Sequence, residues 1–185
     1  MEKNDQTKHL FLAIAIITAV FAPILYFFLP QTVADIVHHK ENVFFVSVPD
    51  ENFTVFAFGY GFIFLAAITL FLLNIRKLSI IISIIFLCLA LTTFFIGSQS
   101  YRALATDHIS YSPLFSFEKE TYSWEEVTEV IRYRDEIGDK SEYAFVFADG
   151  NQMKIKDNRY LRDASYKFNK KLQEENLSVE FKLIE

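Results

Sequence analysis

Three uncharged apolar runs confine what this chain can fold into. Leu10 to Pro30 reads LFLAIAIITAVFAPILYFFLP, Phe53 to Leu73 forms a second run, and Leu78 to Gly97 a third. Each has about the twenty residues that a helix needs to cross a hydrocarbon core of about 30 Å. At that depth a backbone amide finds no water, so a spanning segment satisfies its amides within its own helix. The sequence therefore predicts three transmembrane helices, over residues 10–30, 53–73 and 78–97. Lys3 and Lys8 also give the first run the basic start of a signal peptide. It is too long for a typical apolar core of 7 to 15 residues, and no clear A-x-A site follows, so a retained anchor is expected.

Only Asn74, Ile75, Arg76 and Lys77 separate the second and third runs, which forces an antiparallel helical hairpin. Ala57 and Gly61, with Gly59 between them, form a small-xxx-small face that lets another helix approach closely. The alternative reading of FGYG, a pore or filter element, lacks any accompanying charge or amide. The polar side chains within the runs are Thr18, Thr54, Tyr60, Thr69, Ser79, Ser83, Thr92 and Thr93, with Tyr26 near an end. Hydroxyls of this kind back-bond to their own helix. Ion-coupled transporters usually place ionisable groups at membrane depth, so that class is not expected. Lys3, Lys8, Arg76 and Lys77 fall on one side of the three spans, against Lys40 and Arg102 on the other. The positive-inside rule then places a multi-pass protein in the cell membrane, with the N-terminus cytoplasmic and the C-terminal domain outside.

Charge divides the chain near Gly97. Residues 1–97 hold five Lys/Arg and six Asp/Glu, whereas residues 98–185 hold thirteen and seventeen, the density of a solvated surface. Two domains are expected: a three-span region, 1–97, and a small soluble domain, 98–185. A domain of that size buries one modest core and leaves little room for a deep cleft. Its acidic excess argues against nucleic acid or anionic lipid as a partner held by bulk charge. The single cysteine, Cys88, lies within an apolar run, so there is no disulfide framework and no thiolate cluster.

The loop from Gln31 to Asn52 carries Asp35, His38, His39 and Glu41, residue types that ligate metals. Adjacent histidines diverge by about 100° on a helix and face opposite ways on a strand, so they do not serve one ion. This loop reads as a juxtamembrane segment in which Val33, Ile36 and Val37 meet the bilayer surface and Val43 to Val48 pair or pack locally.

Beyond Gly97 the hydrophobic period is that of strands. Tyr101 to Ala105, Ile109 to Tyr111, and Tyr122 to Tyr133 are expected strands, the last ending in a turn over 136–140. Tyr143 to Phe147 follows, with Tyr143, Phe145 and Phe147 on one face and Ala144 and Val146 on the other. Asp149-Gly150 predicts a type I′ hairpin turn, which needs positive φ at both central positions, leading into Asn151 to Lys156. Asp157-Asn158 then caps a helix whose buried face is Leu161, Ser165, Phe168 and Leu172, with Arg162, Lys170 and Lys171 wet. Ser178 to Leu183 alternates as a further strand or an extended tail.

Hairpins followed by one amphipathic helix, with the segments ATDHISYSP, ETYSWEEVTEVIRY and EYAFVFADGNQMKIK, resemble the bacterial pleckstrin-homology-like domains that are attached to membrane spans. The resemblance covers about the last ninety residues. It implies a β-rich sheet curled around one core and closed by a C-terminal amphipathic helix, used for binding or assembly and not for catalysis. Lipid-binding relatives carry basic side chains in the first strand-to-strand turn. Here that turn is Thr106-Asp107-His108, so specific phosphoinositide binding is not expected.

Trp124 is the side chain best suited to act as a ligand platform, but in such a strand it is expected to pack under the closing helix with its N–H satisfied. Glu125 and Glu126, read as strand neighbours, point to opposite faces and do not share a substrate. His108 is the one histidine of this half, and no G-x-S-x-G, H-E-x-x-H or phosphate-binding glycine loop occurs. Lys167, Lys170 and Lys171 form a solvated helix face. No catalytic, cofactor-binding or metal-ligating residues are predicted, and no cofactor. The expected function is a non-enzymatic membrane-anchored binding or assembly module with a protein partner. The alternative is an accessory subunit of a larger membrane transport or envelope complex, contacted through its spans.

Overall fold

The computed structural model describes residues 2–116, 118–135 and 141–184. The expected turn at 136–140 lies outside the described residues. Three helices are long and apolar enough to cross a membrane: α1 (Glu2–His38), α2 (Asp50–Leu72) and α3 (Lys77–Gln99). The chain divides into two compact units, one of Met1–Val33 with Pro49–Gln99 and the other of Ala34–Val48 with Ser100–Glu185.

In the helical unit α1 runs past the expected end of its first span. Pro30 lies inside it, as does Pro23. Each proline lacks the N–H that would close the turn before it. Beside Pro30, the Thr32 hydroxyl donates to the Phe28 carbonyl at 2.8 Å, which adds a side-chain bond to the interrupted ladder. Helices α2 and α3 form the expected antiparallel pair. Their connection turns through Asn74 and Ile75, both at φ +53°.

The two helices lock by ring-into-glycine packing. A Cβ added at Gly59 would meet the Phe94 ring at 2.6 Å, and one at Gly97 would meet the Phe56 ring at 2.7 Å. Gly59, not the Ala57–Gly61 face, therefore makes the close approach between α2 and α3. An added Cβ at Gly61 would meet nothing within 4 Å. Two polar bonds tie the pair: Asn52 Nδ2 donates to the Gly97 carbonyl at 2.9 Å, and Ser83 Oγ to the Ala66 carbonyl at 3.1 Å. Thr92 and Thr93 back-bond within α3 as expected, whereas Ser83 crosses between helices.

The second unit holds two four-stranded sheets. In the first, β1 (Val43–Ser47), β2 (Tyr101–Ala105), β3 (His108–Ser112) and β4 (Glu120–Ser123) lie in sequence order, all antiparallel. The segment expected to pair or pack locally pairs instead with the distant β2, Ser47 opposite Arg102 and Val46 opposite Ala103. Phe45 enters the main core, 3% exposed, so the β-rich unit begins well before Gly97.

The expected strand Tyr122–Tyr133 is broken by a 3-10 turn at Trp124–Glu126. The Ser123 N–H and hydroxyl both donate to the Glu126 carboxylate, at 2.7 and 2.9 Å, so the turn carries its own cap. The break passes the chain from the first sheet to the second. There β5 (Val127–Asp135), β6 (Ser141–Phe147), β7 (Gln152–Lys156) and β8 (Val179–Ile184) take the order β7-β6-β5-β8, with β8 parallel to β5. Ala144 is fully buried, like Phe145, so β6 is covered on both faces at that level.

Gly150 alone has positive φ in the DG turn, at +87°. The Phe147 N–H donates to the Asn151 carbonyl and the Gly150 N–H to the Phe147 carbonyl, both at 2.9 Å. The connection is thus a three-residue loop with a left-handed glycine, not a type I′ turn.

After β7, α4 (Arg159–Asp163) and α5 (Ser165–Glu174) carry the chain to β8. Asn158 caps α4 by accepting the Leu161 N–H at 3.1 Å. Leu161, Phe168 and Leu172 are buried against Val130, Phe145, Met153 and Ile155, each worth about 1.5–3 kcal/mol of transfer free energy if fully buried. Ser165, expected beside them, is exposed, because the helix restarts at Ala164 and its phase shifts.

Candidate functional site

Few of the side chains with chemical potential are left unemployed by the fold. Trp124 is 2% exposed, and its indole N–H donates to the Ala105 carbonyl at 2.9 Å. The ring meets Phe145 edge-on, and the Lys171 ammonium lies 5.8 Å from its centroid. Lys171 was expected to be wet. Its side chain is only 15% exposed, because it lies over the indole and pairs with Glu175. Lys170 is exposed and 3.6 Å from Glu174, so acidic neighbours offset the basic stretch of α5.

Glu125 and Glu126 are successive residues of the 3-10 turn, not of a strand, and Glu126 is committed to Ser123. His108 Nδ1 lies 2.8 Å from Asp107 Oδ1 in the turn between β2 and β3. Of the loop residues with metal-binding side chains, Asp35 and His38 complete α1. The His38 ring stacks on Tyr101 at 3.7 Å, and His39 is exposed. Among the described residues no three His, Cys, Asp or Glu side chains converge as a metal site would require.

The best-built polar cluster joins β4 to the DG loop. Tyr122 stacks on Phe147 with centroids 3.9 Å apart, and its hydroxyl donates to Asp149 Oδ2 at 2.8 Å while accepting from Asn151 Nδ2 at 2.8 Å. Burial pushes the Tyr122 phenol well above its ordinary value. The Asn151 backbone N–H and then the Tyr122 hydroxyl hold the Asp149 carboxyl below the usual carboxylate range. Each member has a partner within the cluster, which fixes the β6–β7 loop against β4. A second cluster binds β5 to the start of α4: Arg132 pairs with Asp157, which also accepts from Ser141 Oγ at 2.9 Å. Neither cluster has a signature in the sequence, since both link residues 16 to 29 positions apart.

Two open surfaces stand out among the described residues. In the helical unit a cavity of about 510 Å³ lies between α1 and α2, lined by Ala19, Pro23, Ala57, Tyr60, Gly61 and other mostly apolar residues. In the β-rich unit, β8 is an outer strand that carries Phe181 at 74% and Leu183 at 67% exposure. No protein-family model matches this chain, and no curated protein matches it significantly.

Proposed function

We propose that the chain is a membrane-anchored, non-enzymatic binding or assembly module, its three apolar helices spanning the bilayer and its β-rich unit forming a pleckstrin-homology-like domain. One observation carries the reading. Strands β1 and β2 flank the α2–α3 hairpin in sequence and pair in one sheet. A pair of crossings returns the chain to the side it left, so a membrane hairpin allows this pairing and a single crossing would forbid it. The domain reading is supported by two four-stranded sheets, with α4 and α5 packing Leu161, Phe168 and Leu172 into their shared core. Strand β1, drawn from before the hairpin, and β8, parallel to β5 beyond the helix, are additions to a plain set of hairpins and one closing helix. The non-enzymatic reading is supported by the engagement of Trp124, Glu126, Tyr122 and Asp149 in the fold itself. The acidic turn at Asp107 speaks against anionic lipid headgroups as the ligand.

The orientation favoured by Lys3, Lys8, Arg76 and Lys77 is N-terminus inside and β-rich unit outside. In a Cys88→Ala background, a cysteine at Tyr166, which is 78% exposed, should react with a membrane-impermeant thiol reagent in intact cells. One at Arg76 should react only after the membrane is opened. The protein should stay in the membrane pellet through an alkaline wash. Release by that wash rejects membrane anchoring, and the reverse labelling pattern rejects the orientation.

The alternative reading, an accessory subunit contacted through its spans, is favoured by the open cavity beside α1. Removing the β-rich unit discriminates the two. Complex formation that survives without it assigns the contact to the spans.

A further inference from the structure

The two sheets have four outer strands, β1, β4, β7 and β8, and they differ in what they show to solvent. The apolar side chains of β7, Met153 and Ile155, are buried, as are Tyr122 on β4 and Val43, Phe45 and Val46 on β1. Strand β8 instead exposes Phe181 and Leu183 on one face, beside partly buried Val179, and Glu180 and Lys182 on the other. Its inner edge is occupied by β5, from Val130 opposite Val179 to Asp135 opposite Ile184. An outer strand of this kind presents unpaired backbone N–H and C=O groups, and a charged residue on it normally discourages pairing.

The sequence of β8 turns that deterrent into a selection rule. In an antiparallel pair of two β8 strands centred on Phe181, Glu180 of one copy stands opposite Lys182 of the other, twice, and Val179 stands opposite Leu183. Opposite charges in directly facing positions are favourable and like charges are not. Centring the pair on Glu180 or Lys182 sets like charges against each other, and so does parallel pairing in register. A shift by one residue sets Glu180 against Phe181 and breaks the division of faces. Within one chain Lys182 Nζ is already 3.8 Å from Glu180 Oε2, so both heads lie on the face where the exchange would occur.

We propose that β8 is a self-association edge: two copies of this chain pair antiparallel through β8 about Phe181, joining two four-stranded sheets into one of eight strands. The symmetry is two-fold and self-complementary, as a closed dimer requires. Two six-residue strands bury less than the roughly 1,200–2,000 Å² of a stable soluble interface. The proposal therefore rests on the membrane-anchored reading, in which confinement to one surface supplies a high effective concentration.

The test is disulfide trapping of the full-length protein in its membrane, with Cys88→Ala. Facing residues of a strand pair lie within reach of a disulfide, so Phe181→Cys should give a covalent dimer on mild oxidation. Ser178→Cys places its two thiols roughly 20 Å apart in this register and should give at least about tenfold less. Adding Glu180→Lys or Lys182→Glu to the Phe181→Cys chain should each reduce the dimer severalfold. Co-expressing those two chains should restore it as the mixed species, because both charged facing pairs are then Lys against Glu. Dimer that is insensitive to the charge changes, equal trapping at 178 and 181, or an adduct with a different protein would each overturn the proposal. So would the absence of dimer from protein that stays in the washed membrane pellet. Protein lost from that pellet would instead refute the anchoring.

Discussion

The Tyr122 hydroxyl donates a 2.8 Å hydrogen bond to Asp149, tying the last strand of the first sheet to the β6–β7 loop of the second. Tyr122→Phe keeps the stack on Phe147 and removes the bond, and should cost about 1 kcal/mol by equilibrium unfolding. The pH dependence has a defined sign at each end. Asp149 is held below its ordinary value, so its contribution is present above about pH 3.9 and is lost as pH falls through the lower, folded value. Tyr122 is held above its ordinary value, so its contribution is present below about pH 10 and is lost as pH rises beyond that. Tyr122→Phe should flatten the alkaline limb of the stability profile. An unchanged limb would remove Tyr122 as its source.

The β-rich unit should not fold well without β1. Phe45 is 3% exposed in its core, and Phe45→Ala should cost about 3–5 kcal/mol, the usual loss for a buried aromatic. A fragment of residues 100–185 lacks that side chain and should melt without cooperativity. Because Ser47 faces Arg102, residues 34–48 joined to 100–185 by a linker of about four residues should restore a sharp transition. Equal melting of the two fragments would show that β1 is dispensable.

Phe168 and Lys170 lie two residues apart on α5 and face opposite environments. Phe168→Ala should destabilise the joined fragment by about 3–5 kcal/mol, whereas Lys170→Ala should stay within about 0.5 kcal/mol. Thermal melts of the two variants decide it, and similar shifts would mean that the helix face is wrongly assigned.

The α2–α3 pair should be intolerant of small additions at one glycine and indifferent at another. Gly59→Ala forces a methyl into the Phe94 ring and should cost about 1–3 kcal/mol, while Gly61→Ala should be neutral or slightly favourable for helix formation. Asn52→Ala should weaken the pair by about 0.6–2 kcal/mol through loss of the bond to Gly97. Unfolding in mild detergent, read by protease resistance of the hairpin, separates these outcomes.

The three apolar helices were legible in the sequence because each run is continuous, and length and hydropathy alone identify it. The hairpin between α2 and α3 followed from its short connection, and the face of Phe168 and Leu172 from a local 3.6-residue period. Four features were decided only by the tertiary structure. Pro30 did not end α1, Trp124–Glu126 broke a strand that reads as continuous, and the DG turn used one left-handed residue instead of two. The fourth is β1. Its five residues alternate too weakly to name a partner, and that partner lies beyond two apolar helices. Pattern reports which face of a segment is apolar, because side-chain direction is fixed within a few residues. Pairing across fifty or more positions depends instead on which apolar faces bury one another best, a property of the assembled core that no local stretch carries.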